Sequence, residues 1–320
     1  MSEDEDWFER ALRESEVDDS DQSADAQESP SPASDSPTDE EPSEEDGLFE
    51  EDFAAAFQGA DVPGESGPAF PGDEGQEPDT FGDEAPGSDI PRIDLGIDGL
   101  DNMIEGGVPE RSLMVTIGPP GSGKTTFGMQ FLDAGLQQGQ PGVFISLEEN
   151  TDRVIRSATE KGMPYDEYAK TGQLAVVDLD AIDMANSLRS IQTELVDLIE
   201  DFGATRLVLD SVSLLEMMFE DRATRRNEIY SFTKLLKQAG VTTMLTSEVS
   251  DDNPYVSRHG IVEYLTDAVF FLQYIRPEDF QETRMAVEIQ KIRDANHSRE
   301  KKPYEISDAG LSVYEQATIF

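Results

Sequence analysis

From position 90 onward the chain alternates two textures. Short, nearly continuous apolar runs at 113–117, 143–147, 174–178, 206–210 and 241–247 predict buried strands. Between them, 125–138, 151–161, 188–202 and 224–238 carry apolar residues every three or four positions and predict helices. Regular alternation of apolar strand and helix predicts an α/β fold, a mainly parallel sheet with helices on both faces. The last part breaks the rhythm. Runs at 268–275, 285–292, 304–307 and 311–314 follow one another with turns at 276–279 and 308–310, which predicts an antiparallel extension of the same sheet. Residues 90–320 are long enough for one domain of this kind.

Residues 1–89 have no such pattern. They hold 31 acidic residues and two basic ones, Arg10 and Arg13, and are rich in Pro and Ser. Such a segment cannot bury enough apolar surface to offset the entropy of ordering, and it reads as a disordered acidic tail. Two apolar islands interrupt it, Trp7-Phe8 with Ala11-Leu12, and Leu48-Phe49 with Phe53, Ala56 and Phe57. Phe49, Phe53 and Phe57 stand four apart and would share a helical face, so this island is a candidate for folding against a protein partner.

Charge narrows the function classes. The whole chain carries −45 and the part after the tail still carries −16, with 16 Arg against eight Lys. That balance suggests a halophilic host, where salt screens repulsion, and makes DNA an unlikely partner, since phosphate binding draws on cations. Without cysteine there is no disulfide framework or thiolate metal site. No run is long enough to span a membrane, and the acidic start is unlike a signal peptide, so the reading is cytoplasmic.

The chemistry begins at Gly118-Pro119-Pro120-Gly121-Ser122-Gly123-Lys124-Thr125, a complete G-x-x-x-x-G-K-[ST] loop between a predicted strand and a predicted helix. In that setting Gly118, Gly121, Ser122, Gly123 and Thr126 would surround a triphosphate with backbone N–H groups at a helix N-terminus. Lys124 would reach the β- and γ-phosphates, and Thr125 would ligate Mg²⁺. The implied ligands are ATP and Mg²⁺. Asp210, ending an apolar run, is the candidate second metal-side group, because ligands of open α/β sheets bind at the carboxyl ends of strands. Glu148 and Glu149 end another run. Their mutual repulsion is expected to raise one pKa and suit it to activating water.

Further segments resemble the KaiC-type ATPases of the RecA superfamily. They are Ile93-Asp94-Leu95-Gly96-Ile97-Asp98-Gly99-Leu100-Asp101 with Gly106-Gly107-Val108-Pro109, then the phosphate loop, and Phe144-Ile145-Ser146-Leu147-Glu148-Glu149. Leu209-Asp210-Ser211-Val212, Thr246-Ser247-Glu248, Ser257-Arg258-His259-Gly260-Ile261-Val262-Glu263, and Lys291-Ile292-Arg293 with His297 continue it. The resemblance implies a RecA-like P-loop NTPase fold. It also implies adjacent catalytic glutamates at Glu148 and Glu149, a metal-side Asp210, and a γ-phosphate sensor at Glu248 or Ser247. Lys291 and Arg293 match a Lys-x-Arg pair that reaches the nucleotide of a neighbouring subunit, which implies a homo-oligomer, hexameric by analogy. Slow Mg-dependent ATP hydrolysis in a regulatory switch is the reading that follows. A nucleotide-state scaffold with incidental turnover, or a recombination or repair ATPase, are the alternatives. The second lacks any basic loop run. Asp294 stands where the family usually has Gly, which leaves the loop after Arg293 open. Glu263 and Tyr264 stand where the clock protein's phosphoacceptors lie, so autokinase activity is not supported. His259 and His297 have no metal-ligand neighbours at suitable spacing. Arg222, Arg225 and Arg226 form a small basic cluster after Asp210 that would face a subunit interface, a central opening or solvent.

Overall fold

The computed structural model describes residues 90–188, 196, 199–275 and 283–314. The acidic segment with Phe49, Phe53 and Phe57 and the 276–279 turn lie outside the described residues.

Thirteen strands are present among the described residues. Nine of them, in the order β13-β12-β10-β9-β4-β8-β7-β5-β6, form the main sheet. The parallel part comprises β4 (Leu113–Ile117), β5 (Gly142–Ser146), β6 (Leu174–Asp178), β7 (Arg206–Asp210), β8 (Thr242–Ser247) and β9 (Ala268–Ile275). The antiparallel extension comprises β10 (Arg284–Ile292), β12 (Lys302–Ser307) and β13 (Gly310–Val313). Short pairs of β1 (Arg92–Ile93) with β3 (Val108–Pro109), and of β2 (Ile104–Glu105) with β11 (Asn296–His297), tie the first residues to the body.

The strands are apolar throughout because both faces are covered. On β4, Leu113, Val115 and Ile117 enter one core while Met114 enters the other, and on β7 Leu207 and Leu209 oppose Val208. The first core lies under helices α2 (Lys124–Leu136), α3 (Thr151–Glu160) and α4 (Tyr165–Lys170), with α1 (Leu100–Met103) and the extension at its edge. The second lies under α5 (Ala181–Ser187), α6 (Val212–Met217), α7 (Arg222–Gln238) and α8 (Val262–Leu265). This is the predicted α/β architecture, RecA-like with a C-terminal antiparallel region.

The element boundaries differ from expectation in instructive places. Helix α7 begins two residues earlier than its apolar rhythm, at Arg222, because Asp221 caps it by accepting from the Thr224 N–H at 2.6 Å. The 188–202 helix is only partly among the described residues, and α5 precedes it, started by Asp180 accepting from the Ile182 and Asp183 N–H groups. Helix α6 is too short for periodicity to reveal. One buried cation locks the first core. Arg206, 2% exposed, donates to the carbonyls of Asp94 and Phe131 and stacks 5.0 Å above the Phe131 ring.

Candidate functional site

The carboxyl ends of β4, β5, β7 and β8 bring most of the predicted residues together. The loop leaves β4 at Gly118 and enters α2 at Lys124, with Gly121 and Gly123 at φ 77° and 89°. Those angles demand glycine. At Gly118 the reason is crowding, since a Cβ would lie 2.5 Å from Ser122 Oγ and 2.9 Å from the Leu272 carbonyl. Lys124 Nζ donates to the carbonyls of Gly118 and Pro119 at 3.0 and 3.3 Å. Burial pushes the Lys124 ammonium pKa down, while Asp210, Glu148 and Glu248 pull it up.

Asp210, 3% exposed, accepts from Thr125 Oγ1 at 2.6 Å and from Thr246 Oγ1 at 2.5 Å. Burial raises its pKa against those two hydrogen bonds and Lys124. A hydroxyl and a buried carboxylate side by side, facing a lysine, form a donor set that fits a hard divalent cation completed by phosphate and water oxygens. Among the described residues no group of three or more His, Asp or Glu could hold a metal on its own, so the protein's share would be Thr125 and Asp210. The Asp210–Ser211 peptide is cis.

The two glutamates part company. Glu148 is held by Ser211 Oγ, which donates to its Oε1 at 2.6 Å, and Ser213 Oγ donates to Ser211 Oγ at 3.1 Å. Its pKa is raised first by burial, then by Asp210 and Glu248. This corrects the expected cause: Glu149 is not among the groups that raise it. Glu149 instead turns to Arg153 on α3, 3.0 Å away, while its N–H donates to Ser146 Oγ. Glu248 follows β8, donates its backbone N–H to Ser213 Oγ, and pairs with Arg258. Ser247 Oγ donates to the Glu248 carbonyl at 3.0 Å.

Lys291 and Arg293 are elsewhere. Strand β10 runs antiparallel to β9, so Ile292 is level with Ala268 and, through it, with Met114 near the start of β4. The phosphate loop leaves the other end of β4. Lys291 Nζ donates to the carbonyls of Glu263 and Thr266 at 2.7 Å each, and Arg293 pairs with Asp267 at 3.1 Å. Within one chain the pair does not meet the loop. The turn after it is left-handed despite lacking glycine: Asp294 has φ 57°. His297 lies in β11 against Ile104. Arg225 is absorbed structurally, bonding the carbonyls of Glu216, Phe219 and Glu220, whereas Arg222 and Arg226 are exposed.

Sequence reasoning overlooked the polar relay of Ser211, Ser213 and Thr246 and the cation Arg258 beside Glu248. Hydroxyl residues directly after one apolar run and near the end of another were the available signal.

A parallel sheet whose strand ends carry a glycine-rich loop, its lysine, and a threonine–aspartate pair defines a RecA-like P-loop domain. Residues 93–318 match the family model described as "ATPase: KaiC". The chain belongs to that family of KaiC-type ATPase domains. It is 32% identical over 243 residues to a UPF0273 protein of Aeropyrum pernix, covering 72% of this chain and 96% of that one. It is 30% identical over 236 residues to the circadian clock oscillator protein KaiC of Parathermosynechococcus lividus, covering 70% of this chain. The match spans only 42% of that clock protein's length. In structure it is similar to a crystallised KaiC-like protein from Pyrococcus horikoshii, with a TM-score of 0.63, 33% identity, and coverage of 70% of this chain and 99% of that one.

Proposed function

We propose that this protein binds Mg–ATP at Gly118–Thr125 and hydrolyses it slowly, as a homo-oligomeric cytoplasmic switch. The observation that carries the proposal is Glu148. Its carboxyl is oriented by Ser211, partly desolvated, and lies within the field of Lys124 and Asp210. That is the placement of a group that accepts a proton from water beside a phosphate site. Lys124 and the loop N–H groups hold the β- and γ-phosphates. Thr125 and Asp210 would hold Mg²⁺, which would neutralise phosphate charge when bound. Glu148 orients the water and takes its proton as the water oxygen bonds the γ-phosphorus and the β–γ bridging bond breaks, leaving ADP and phosphate. Glu248, held by Arg258, senses the γ-phosphate.

On this reading Lys291 and Arg293 complete the site of the next subunit, where cations offset transition-state charge. Their distance from the loop of their own chain supports a role in trans.

Phosphate release by the wild type and Glu148→Gln tests the proposal. Expected is a fall of about 10²–10⁴-fold in turnover with nucleotide affinity retained. Unchanged hydrolysis in Glu148→Gln removes that residue from the chemistry.

A further inference from the structure

Two phenols of the sheet's extension side reach the phosphate loop from outside. Tyr304, on β12, is buried, and its hydroxyl donates to the Ser122 carbonyl at 2.7 Å. Tyr274, on β9, donates to the Pro120 carbonyl at 3.2 Å. Packing presses the loop against the same wall. A Cβ at Gly123 would lie 2.6 Å from Ile306 Cδ1, and one at Gly121 would lie 3.0 Å from the Tyr274 hydroxyl.

A peptide unit is planar and trans, so its carbonyl and the following N–H point opposite ways. Holding the Ser122 oxygen against β12 turns the Gly123 N–H away from the extension. Holding the Pro120 oxygen against β9 does the same for the Gly121 N–H. Both glycines sit at positive φ and can rotate freely, having no Cβ to fix them. The tyrosine bonds therefore set two peptide orientations that the loop's own sequence leaves loose.

We propose that Tyr304 and Tyr274 are positioning residues for phosphate binding, aiming the Gly123 and Gly121 N–H groups at the nucleotide. The inference rests on the reading of Gly118–Thr125 as an ATP site. Neither phenol touches the substrate; each acts through one loop carbonyl.

Calorimetric titration of Mg–ATP and Mg–ADP into the full chain tests it, with steady-state kinetics and thermal melts alongside. Tyr304→Phe, Tyr274→Phe, the double variant and Tyr304→p-aminophenylalanine, which keeps a donor at the same place, are compared with the wild type. Loss of one such bond is expected to weaken both nucleotides by about threefold to tenfold. KM should rise with kcat within about twofold, the double variant should be weaker than either single one, and the amino analogue should recover affinity. Tyr314→Phe, an exposed tyrosine away from the loop, should bind as the wild type does. A lowered melting temperature with unchanged affinity would mean the phenols only stabilise, and it overturns the inference. So does Tyr304→Phe binding as tightly as the wild type. If Tyr304→Phe does not fold, Tyr274→Phe carries the test, because Tyr274 is 42% exposed and its hydroxyl is dispensable to the core. A wild type that binds neither nucleotide refutes the underlying site, a result separate from any variant.

Discussion

Glu216 is a carboxyl group sealed into the second core. It is 0% exposed and neither of its oxygens has a hydrogen-bond partner among the described residues. Around it stand Glu263, engaged by Ser257, and Arg225 and Arg258, which spend their donors on carbonyls and on Glu248. Burial first, and then Glu263, push its pKa from 4.5 to about 8. The folded protein thus keeps a proton that the unfolded chain releases near pH 4.5. Folding stability from this group is full below that pH and is lost as pH rises to about 8. Glu216→Gln should remove that loss. Denaturant melts should show the variant more stable than the wild type by on the order of 4 kcal/mol at pH 8, and level with it near pH 4.5. A second residue-level contrast concerns the paired glutamates. Glu149 spends its charge on Arg153, whose side chain is 71% exposed, and such surface pairs contribute little. Glu149→Gln should therefore reduce phosphate release far less than Glu148→Gln, by at most about tenfold.

At the scale of elements, the loop and the strands that wall it form one unit. Gly123→Ala meets two obstacles at once, a positive φ and the Ile306 side chain. It should destabilise the fold by about 1–3 kcal/mol and weaken ATP binding, read by a melt and a titration together. The parallel strands were legible because each is covered on both faces: Leu113–Ile117, Leu174–Asp178 and Arg206–Asp210 coincide with the predicted runs. Ala268–Ile275 also coincides with its run, but it pairs in parallel with β4 and only β10 begins the antiparallel extension in which the sequence placed it. Helices α5 and α6 were not, since six or seven residues hold too few turns for a period to emerge. The site divides the same way. Lys124, Thr125, Asp210 and Glu148 announce themselves by motif or by ending an apolar run. Ser211, Ser213, Thr246 and Tyr304 act through partners distant in sequence, and only the fold brings those together. The opposite directions taken by Glu148 and Glu149 also depended on which hydroxyls stood nearby, and adjacency in sequence pointed to repulsion instead.

At the scale of the whole molecule, the abrupt change at residue 90 makes 1–89 and 90–320 separable in the reading proposed here. A chain beginning at residue 88 should keep the melting temperature of the full protein within about 2 °C and retain ATP binding. Loss of either would show that the acidic segment belongs to the domain. A mixing experiment addresses assembly. On the proposed reading, Glu148→Gln lacks its own water-activating group, and Lys291→Ala/Arg293→Ala lacks the cations offered to a neighbour. Each alone should be nearly inactive, and combining them should restore part of the hydrolysis, because some junctions then pair an intact loop with an intact Lys-x-Arg. Light scattering with and without ATP should report the assembly, and a monomer under both conditions would remove the cations from the reaction. The antiparallel course of β10 has a geometric consequence. It gives the molecule a head, where the loop opens, and a tail, where Lys291 and Arg293 emerge. On the proposed reading, a pair joined loop to loop would leave both sites half built, whereas two copies lying antiparallel could each offer a tail to the other's head. A larger assembly would have each copy follow the next, and such a queue either bites its own end or keeps growing. The direction of one strand therefore limits the ways in which copies of this chain can meet productively.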